Sequence, residues 1–480
     1  MLHECTEWKV ESTSILTDHR MVSAKISTAT TPFIGRGRWA IPSYVLDDEP
    51  TWKEVRELAK KLEGEIEAVK YRRTENTNPQ TLYQEFKNTI RTICRTRARK
   101  IIPAARDKIH KLQGRLDWIN NNPLYPLEDA PLEVIRINEE IDALERRLFE
   151  ANRDTSAVKN RLEGETISHY WTRLNKEKRP RDTIYRLMNP LNETEGYETN
   201  SIHMAEIARN YHEKLQTKDR DPTKEPNPPE IDRVLNHIPR KLSARQRTSL
   251  AMRVKKHEVK EAMANSANGK AAGLDGIPTE MWKKLSDEYG PETEEGNNAK
   301  CNIIKVLTRV FNDIEMNGMQ PGSGFSDGWM CPIYKKGDKE NIANYRPITI
   351  LNTDYKIFTK ALSEKLACVA PDIIHSDQAG FVRGRSIFDQ VKLAKLMVDY
   401  GETKEVRGAI VALDQEKAYD KIMHLYLWKV LEKFKFPNHF IRTIKALYEN
   451  AETSVIINGV VSTPFRVIRG VRQGDPLSCL

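Results

Sequence analysis

The run Ala409–Leu413 (AIVAL), followed at once by Asp414 and the stretch QEKAYDKI, constrains this chain more than any other feature. Uninterrupted apolar residues bounded by polar ones predict a strand buried on both faces, as in sheets covered on two sides. Such a strand delivers Asp414 at its C-terminal end, just before a helix begins. A carboxylate there serves either as a helix N-cap or as a metal ligand. Tyr419 follows where the turn is expected to bring its ring back beside the carboxylate. Asp420 adds a second charge, with Lys417 and Lys421 as the basic residues at hand.

Two further constellations carry chemistry. Lys335-Lys336-Gly337-Asp338 is a basic turn between apolar segments, and Arg346-Pro347 follows after a short loop. Two ammonium groups and a guanidinium converging on one loop suit a triphosphate, because Arg binds phosphate bidentately and Lys as a point charge. The same turn is also what an ordinary exposed hairpin tip looks like. In GVRQGDPLS (470–478), Gly470 and Gly474 permit close backbone approach, and Gln473 offers a donor and an acceptor to a sugar or base. Its plainer reading is a helix-start loop, with Asp475 as N-cap and Pro476 at the first helical position. Just upstream, TSVII, Asn458-Gly459 and VVSTPFRVI predict a hairpin on a type I′ turn.

The rest of the chain sets limits. Its 480 residues carry 77 basic and 68 acidic side chains, a formal net charge of +9, which permits a polyanionic partner. No stretch approaches the roughly 18–20 apolar residues of a membrane span. The start lacks an apolar run behind a basic segment, so no secretory signal is read. Six scattered cysteines form no CxxC pair and indicate neither a disulfide framework nor a zinc site; a reducing, intracellular compartment fits.

Residues 9–26 read as a strand-turn-strand fragment too short for its own core, and 29–51 as a linker. From 52 to 188 the pattern is helical. Phe86, Ile90 and Ile93, then Ile109, Leu112, Leu116 and Ile119, precede the turn signal NNNPLYPLEDAP. Ile137, Ile141, Leu144, Leu148, Ala151, Thr155, Val158 and Leu162 continue as a heptad seam, so a coiled-coil-like antiparallel hairpin is expected. Its first helix is basic between 85 and 117 (Lys87, Arg91, Arg95, Arg97, Arg99, Lys100 and others), either a solvated face or a phosphate-contacting arm. Residues 189–235 are polar and Pro-containing and read as a second linker. From 236 helices and short apolar runs alternate, giving an α+β class overall.

Taken together, these blocks resemble a known family. Asn268–Pro278 (NGKAAGLDGIP), the KKGD…NYRPI block, SDQAGFVRGRS at 376–386, ALDQEKAYD and GVRQGDPLS occur in the order seen in reverse transcriptases of non-LTR (LINE-type) retrotransposons. The resemblance covers 257–480. IGRGRW (34–39) and NKEKRPRD (175–182) look like the family's inter-domain region. ILTDHRMVSAKI (15–26) looks like the last motif of the apurinic-type endonuclease that precedes the polymerase.

The resemblance implies a right-hand polymerase, with fingers and partial palm in 236–480 behind the helical arm, acting by template-primed, two-metal nucleotidyl transfer. Asp414 resembles the first palm carboxylate that holds Mg²⁺ (or Mn²⁺). Tyr419 sits at the steric gate against a ribose 2′-hydroxyl. Lys335, Lys336 and Arg346 match the triphosphate-contacting fingers, Gln473 the nucleotide pocket, and Arg383 and Arg385 template or primer contacts. Asp18 and His19 match endonuclease positions, so 1–28 is expected to be the end of such a domain. The implied partners are template RNA, DNA primer, dNTP and the element's own RNA in a ribonucleoprotein, with no membrane. Both cytoplasm and nucleus are expected for the family.

The departure is that the family's paired Asp-Asp lies beyond the last block, whereas this sequence stops at Leu480. The expectation is a truncated fragment that does not polymerise alone. Rival readings are an intron maturase or RNA-templated RNA polymerase, against which Tyr419 and the endonuclease-like segment argue, and a non-catalytic RNA-binding remnant.

Overall fold

The computed structural model describes residues 5–12, 20–26, 31–121, 132–141, 143–144, 183–189, 196–217, 228–289, 300–405 and 407–479. Asp18 and His19, the heptad seam beyond Leu144 and all of NKEKRPRD (175–182) lie outside them. Near the N-terminus, β1 (Cys5–Ser12) and β2 (Arg20–Ile26) pair antiparallel, as the strand-turn-strand pattern predicts. A separate short pair joins β3 (Leu187–Met188) and β4 (Tyr197–Glu198).

The main sheet is mixed, with order β6-β5-β7-β8 and β9 added beside β7. Strands β5 (Gly328–Tyr334) and β6 (Tyr345–Leu351) form an antiparallel hairpin across the KKGD turn. Gly337 at its tip has φ +87°, where a side chain is disfavoured. Strand β7 (Glu452–Ile457) runs parallel to β5 and turns back as β8 (Val460–Val461), while β9 (Phe465–Arg466) pairs with the start of β7. Asn458 and Gly459 both have positive φ, 49° and 78°, the requirement of a type I′ turn.

Helices cover this sheet and build the larger core. Trp52 and Leu62 of the Glu49–Ala68 helix and Ile90 of the Pro79–Asn121 helix are buried with Trp282, Phe311, Tyr355 and Phe358. Phe311 stacks on Phe358 with ring centroids 4.7 Å apart. The first part of the expected arm, as far as Ala98, is therefore core. Farther along, Ile119 clusters with Ile137 and Ile141.

In both segments read as linkers, described residues make ordered contacts. In 31–41 the chain lies as a strap across two loops: Gly35 N donates to Asn458 O (2.8 Å), Gly37 N to Gly459 O (3.1 Å) and Ile41 N to Gly276 O (2.9 Å). A Cβ on Gly35 would stand 2.6 Å from Gly459 O, so only glycine lets the two backbones touch. Within 189–235 lies the Ser201–Thr217 helix, whose Met204, Ala205 and Ala208 pack under the sheet against Met330, Val455 and Phe465. Its small and apolar residues recur at three- and four-residue steps, a pattern that the surrounding polar residues disguise.

The largest departure from expectation concerns Ala409–Leu413, which is irregular and solvent-exposed, with Ile410 at 76%, Val411 at 75% and Leu413 at 92% exposure. Strand propensity expresses a fit to a half-built sheet rather than an intrinsic backbone state. No described strand lies beside this run to complete a ladder, and its apolar side chains are left uncovered. The adjacent Ile387–Thr403 helix likewise has no buried residue, with Phe388 and Met397 turned outward.

Candidate nucleotide and template site

Three of the sequence blocks meet at one loop, 470–475. Gly470, at φ +81°, donates from its N–H to Ile422 O (2.7 Å), and Val471 N donates to Tyr419 O (2.8 Å). A Cβ at Gly470 would stand 2.8 Å from the carbonyl oxygens of Tyr419 and Asp420, which explains the glycine. Two residues on, Thr349 N of β6 donates to Gln473 O (2.7 Å). The ALDQEKAYD block, the strand carrying Arg346 and the Gln473 loop are thus joined through backbone.

The loop is anchored from below by Arg472, which points away from Gln473 into the core. Its guanidinium, with 3% side-chain exposure, donates to Ser326 O and Tyr355 OH and lies over the Tyr355 and Tyr448 rings. Tyr355 OH donates in turn to Asp475 Oδ2 (2.9 Å), and Leu477 N donates to Asp475 Oδ1 (3.1 Å). Asp475 is thus the N-cap that the sequence suggests, although the element it opens is a 3₁₀ turn, Pro476–Cys479. Burial raises the Tyr355 pKa well above the ordinary phenol value, with Asp475 adding to and Arg472 opposing that shift. Tyr448 is pushed up to about 12, first by burial and then by Asp475. Both phenols therefore remain protonated donors at neutral pH.

Several of the expected site residues lie around this anchor. Tyr419 is half-buried, and its hydroxyl reaches Cys479 Sγ at 3.7 Å. Lys417, with φ +52°, enters the short Ala418–Lys421 helix and places its ammonium 4.5 Å from the centre of the Tyr211 ring. Burial raises the pKa of Asp420, with Lys417 opposing. Lys335 and Lys336 are exposed at the hairpin tip, and Arg346 is exposed opposite Ile333. Tyr345, opposite the residue before Lys335, is four positions from Thr349, about 13 Å along the strand.

Other expected residues are placed differently. Asp414 stands exposed on the irregular 407–415 segment rather than at the end of a buried strand, because that strand is not formed. Arg385 is engaged by its own loop, donating to the carbonyl oxygens of His375, Gln378, Pro371 and Ile374. Arg383 pairs with Glu364 on the surface. Lys87, counted with the basic arm, has 3% side-chain exposure and pairs with Asp275 (2.7 Å) and Asp354 (2.8 Å). Arg97 is taken by Asp48, the N-cap of the Glu49–Ala68 helix. Arg99, Lys100 and Lys111 remain exposed on the outer face. Among the described residues no group of three or more His, Cys, Asp or Glu is arranged to hold a metal ion. The exposed Asp414 does not by itself fit a two-ion site.

What the fold and site define is a mixed α/β protein whose small sheet carries a basic hairpin, joined through one glycine-bearing loop to an acidic helix start. Residues 333–480 match the family model described as reverse transcriptase (RNA-dependent DNA polymerase). Over 237 residues the chain is 35% identical to the transposon TX1 uncharacterized 149 kDa protein of Xenopus laevis, covering 49% of this chain and 17% of that one. It is 27% identical over 224 residues to the Pol polyprotein of the type-1 retrotransposable element R2 of Nasonia vitripennis, covering 46% and 20%. With that of the type-2 element R2DM of Drosophila melanogaster it shares 30% identity over 197 residues, covering 40% and 18%. The chain carries a reverse-transcriptase domain related to those of non-LTR retrotransposon Pol proteins. It spans a fifth or less of the length of these relatives.

Proposed function

We propose that this chain supplies the fingers and part of the palm of an RNA-directed DNA polymerase that copies a non-LTR element's RNA from a DNA primer. The observation that carries the reading is the backbone joining of three distant blocks, Thr349 to Gln473 and Val471 to Tyr419, at one loop. In this reading Gln473 and the half-buried Tyr419 line the sugar side of an incoming dNTP, with Tyr419 excluding a 2′-hydroxyl. Lys335, Lys336 and Arg346 draw in its triphosphate. Arg383 meets template or primer, whereas Arg385 shapes the loop that presents it. Asp414 supplies one carboxylate toward Mg²⁺. The described residues do not complete a two-ion set.

The β1–β2 pair supports reading 1–28 as the end of an apurinic-type endonuclease domain, with Asp18 and His19 as its residues. The exposed Arg99, Lys100 and Lys111 support RNA binding by the outer part of the arm, in keeping with assembly on the element's own RNA. The test uses the full-length element protein with a primed RNA template. Asp414→Asn should abolish extension and leave RNA binding near wild type. Lys335→Ala with Lys336→Ala should mainly raise the KM for nucleotide, and Tyr419→Ala should admit ribonucleotides. RNA binding without extension by the wild-type protein would instead establish the non-catalytic reading.

A further inference from the structure

Gln216 lies outside the segment that matches the reverse-transcriptase family, in a stretch that composition reads as a linker, yet its side chain is spent on the approach to the Gln473 loop. It has 7% exposure, at the end of the Ser201–Thr217 helix. Gln216 Oε1 accepts from Ile468 N (2.7 Å) and Arg469 N (3.2 Å), while Nε2 donates to Arg466 O (3.2 Å). One amide thus binds three backbone groups of a segment that forms no ladder beyond Arg466. The chain then passes directly into the bonds that tie Gly470 to Ile422 and Val471 to Tyr419, and Arg469 Nε donates to Lys421 O (2.9 Å). On the same helix, the Tyr211 ring receives Lys417, at the start of the Tyr419 helix.

We propose that Gln216 is a positioning residue for the nucleotide pocket: its amide sets the register between the Gln473 loop and the Tyr419 helix. The inference rests on the polymerase reading above and adds to it a residue from outside the matched segment. Its physical basis is that these part-buried bonds are what hold a segment with no ladder of its own. Without the amide, Ile468 N, Arg469 N and Arg466 O turn to water, the segment is no longer fixed to the Ser201–Thr217 helix, and that freedom is passed to Val471 and Tyr419. Gln473 and Tyr419 would then no longer face one sugar from fixed positions.

The experiment compares wild type, Gln216→Leu and Gln216→Glu in the full-length element protein. Leu keeps the volume and removes every hydrogen bond. Glu keeps an acceptor for the two N–H groups. Steady-state incorporation, the ribo- to deoxynucleotide ratio and the melting temperature are measured together. Gln216→Leu should raise the KM for dNTP by about tenfold, equivalent to 1.4 kcal/mol, and raise the ribonucleotide ratio while kcat stays near wild type. Gln216→Glu should fall between the two. A merely structural residue would lower the melting temperature and the active fraction without moving KM or the ratio, and that result, or no change at all, overturns the proposal alone. Should Gln216→Leu fail to fold, wild-type KM and ratio in Gln216→Glu with a lowered melting temperature overturn it equally. A wild-type protein that incorporates no nucleotide overturns the polymerase reading and this inference with it.

Discussion

Replacing Lys87 separates a core residue from an RNA contact. Its ammonium, with 3% exposure, lies 2.7 Å from Asp275 and 2.8 Å from Asp354, whose side chain is fully buried. Burial alone pulls a lysine pKa down, but here the two carboxylates outweigh it and hold the pKa above the ordinary value. Lys87→Met keeps much of the apolar stem and leaves two buried carboxyls, with Tyr83 OH (2.9 Å from Asp354) as a remaining donor. Breaking such a group from one side costs about 3–5 kcal/mol, which at roughly 2 °C per kcal/mol for a large cooperative unit lowers the melting temperature by about 6–10 °C.

The loss should also depend on pH. Burial already raises the Asp275 pKa, with Lys87 opposing and Asp354 adding to the rise. In Lys87→Met the opposing charge is gone, so the folded-state pKa of Asp275 lies further above its unfolded value. The folded mutant then holds that proton more tightly than the unfolded chain. Its deficit against wild type is smallest below the unfolded carboxyl range and grows as pH rises through the raised folded value of Asp275. Denaturation of both proteins at pH 5 and pH 8, with RNA affinity measured on the folded forms, provides the assay. A stability loss under about 0.5 kcal/mol together with weakened RNA binding would refute the buried-pair reasoning and return Lys87 to the phosphate-binding face.

Asp48, held down to about 2 first by the Arg97 hydrogen bond, should contribute up to about 2 kcal/mol that is present above pH 4 and lost between pH 4 and 2. Acid titration of Asp48→Asn should therefore converge on wild type in that window. Gly474 has φ +115°, and a Cβ there would stand 2.4 Å from Thr349 O. Gly474→Ala should cost about 1–3 kcal/mol, read by denaturation. Replacing Arg99, Lys100 and Lys111 by Ala should flatten the salt dependence of single-stranded RNA binding, by about 0.7 in log–log slope for each phosphate no longer neutralised. An unchanged slope would remove that face from the binding surface.

The site was legible in the sequence as separate pieces. Tyr419, Gln473 and the Lys335–Lys336 turn each stand out because their neighbours along the chain signal a turn, a cap or a helix start. Their meeting was not legible, because it depends on backbone bonds between Thr349 and Gln473 and between Tyr419 and Val471. Arg472 shows the limit most directly. Adjacent to Gln473, it has the side chain of a phosphate contact, yet it turns into the core toward Ser326 and Tyr355. Gln216 carried only a weak signal, the three- and four-residue spacing of Met204, Ala205 and Ala208 on its helix.

What the sequence by itself determined are the features whose causes lie within a few residues. These are the Asn458–Gly459 hairpin, the KKGD turn, the Asp475 cap, the periodic helices and the order of blocks that marks a reverse-transcriptase domain. Tertiary structure alone decided which charges are inside. Lys87 and Asp354 are 267 positions apart, and no local pattern distinguishes a lysine that neutralises a buried carboxylate from one that faces water. It also decided that Ala409–Leu413 is exposed. A helix completes its hydrogen bonds within its own segment, whereas a strand exists only where another segment offers a ladder and a cover.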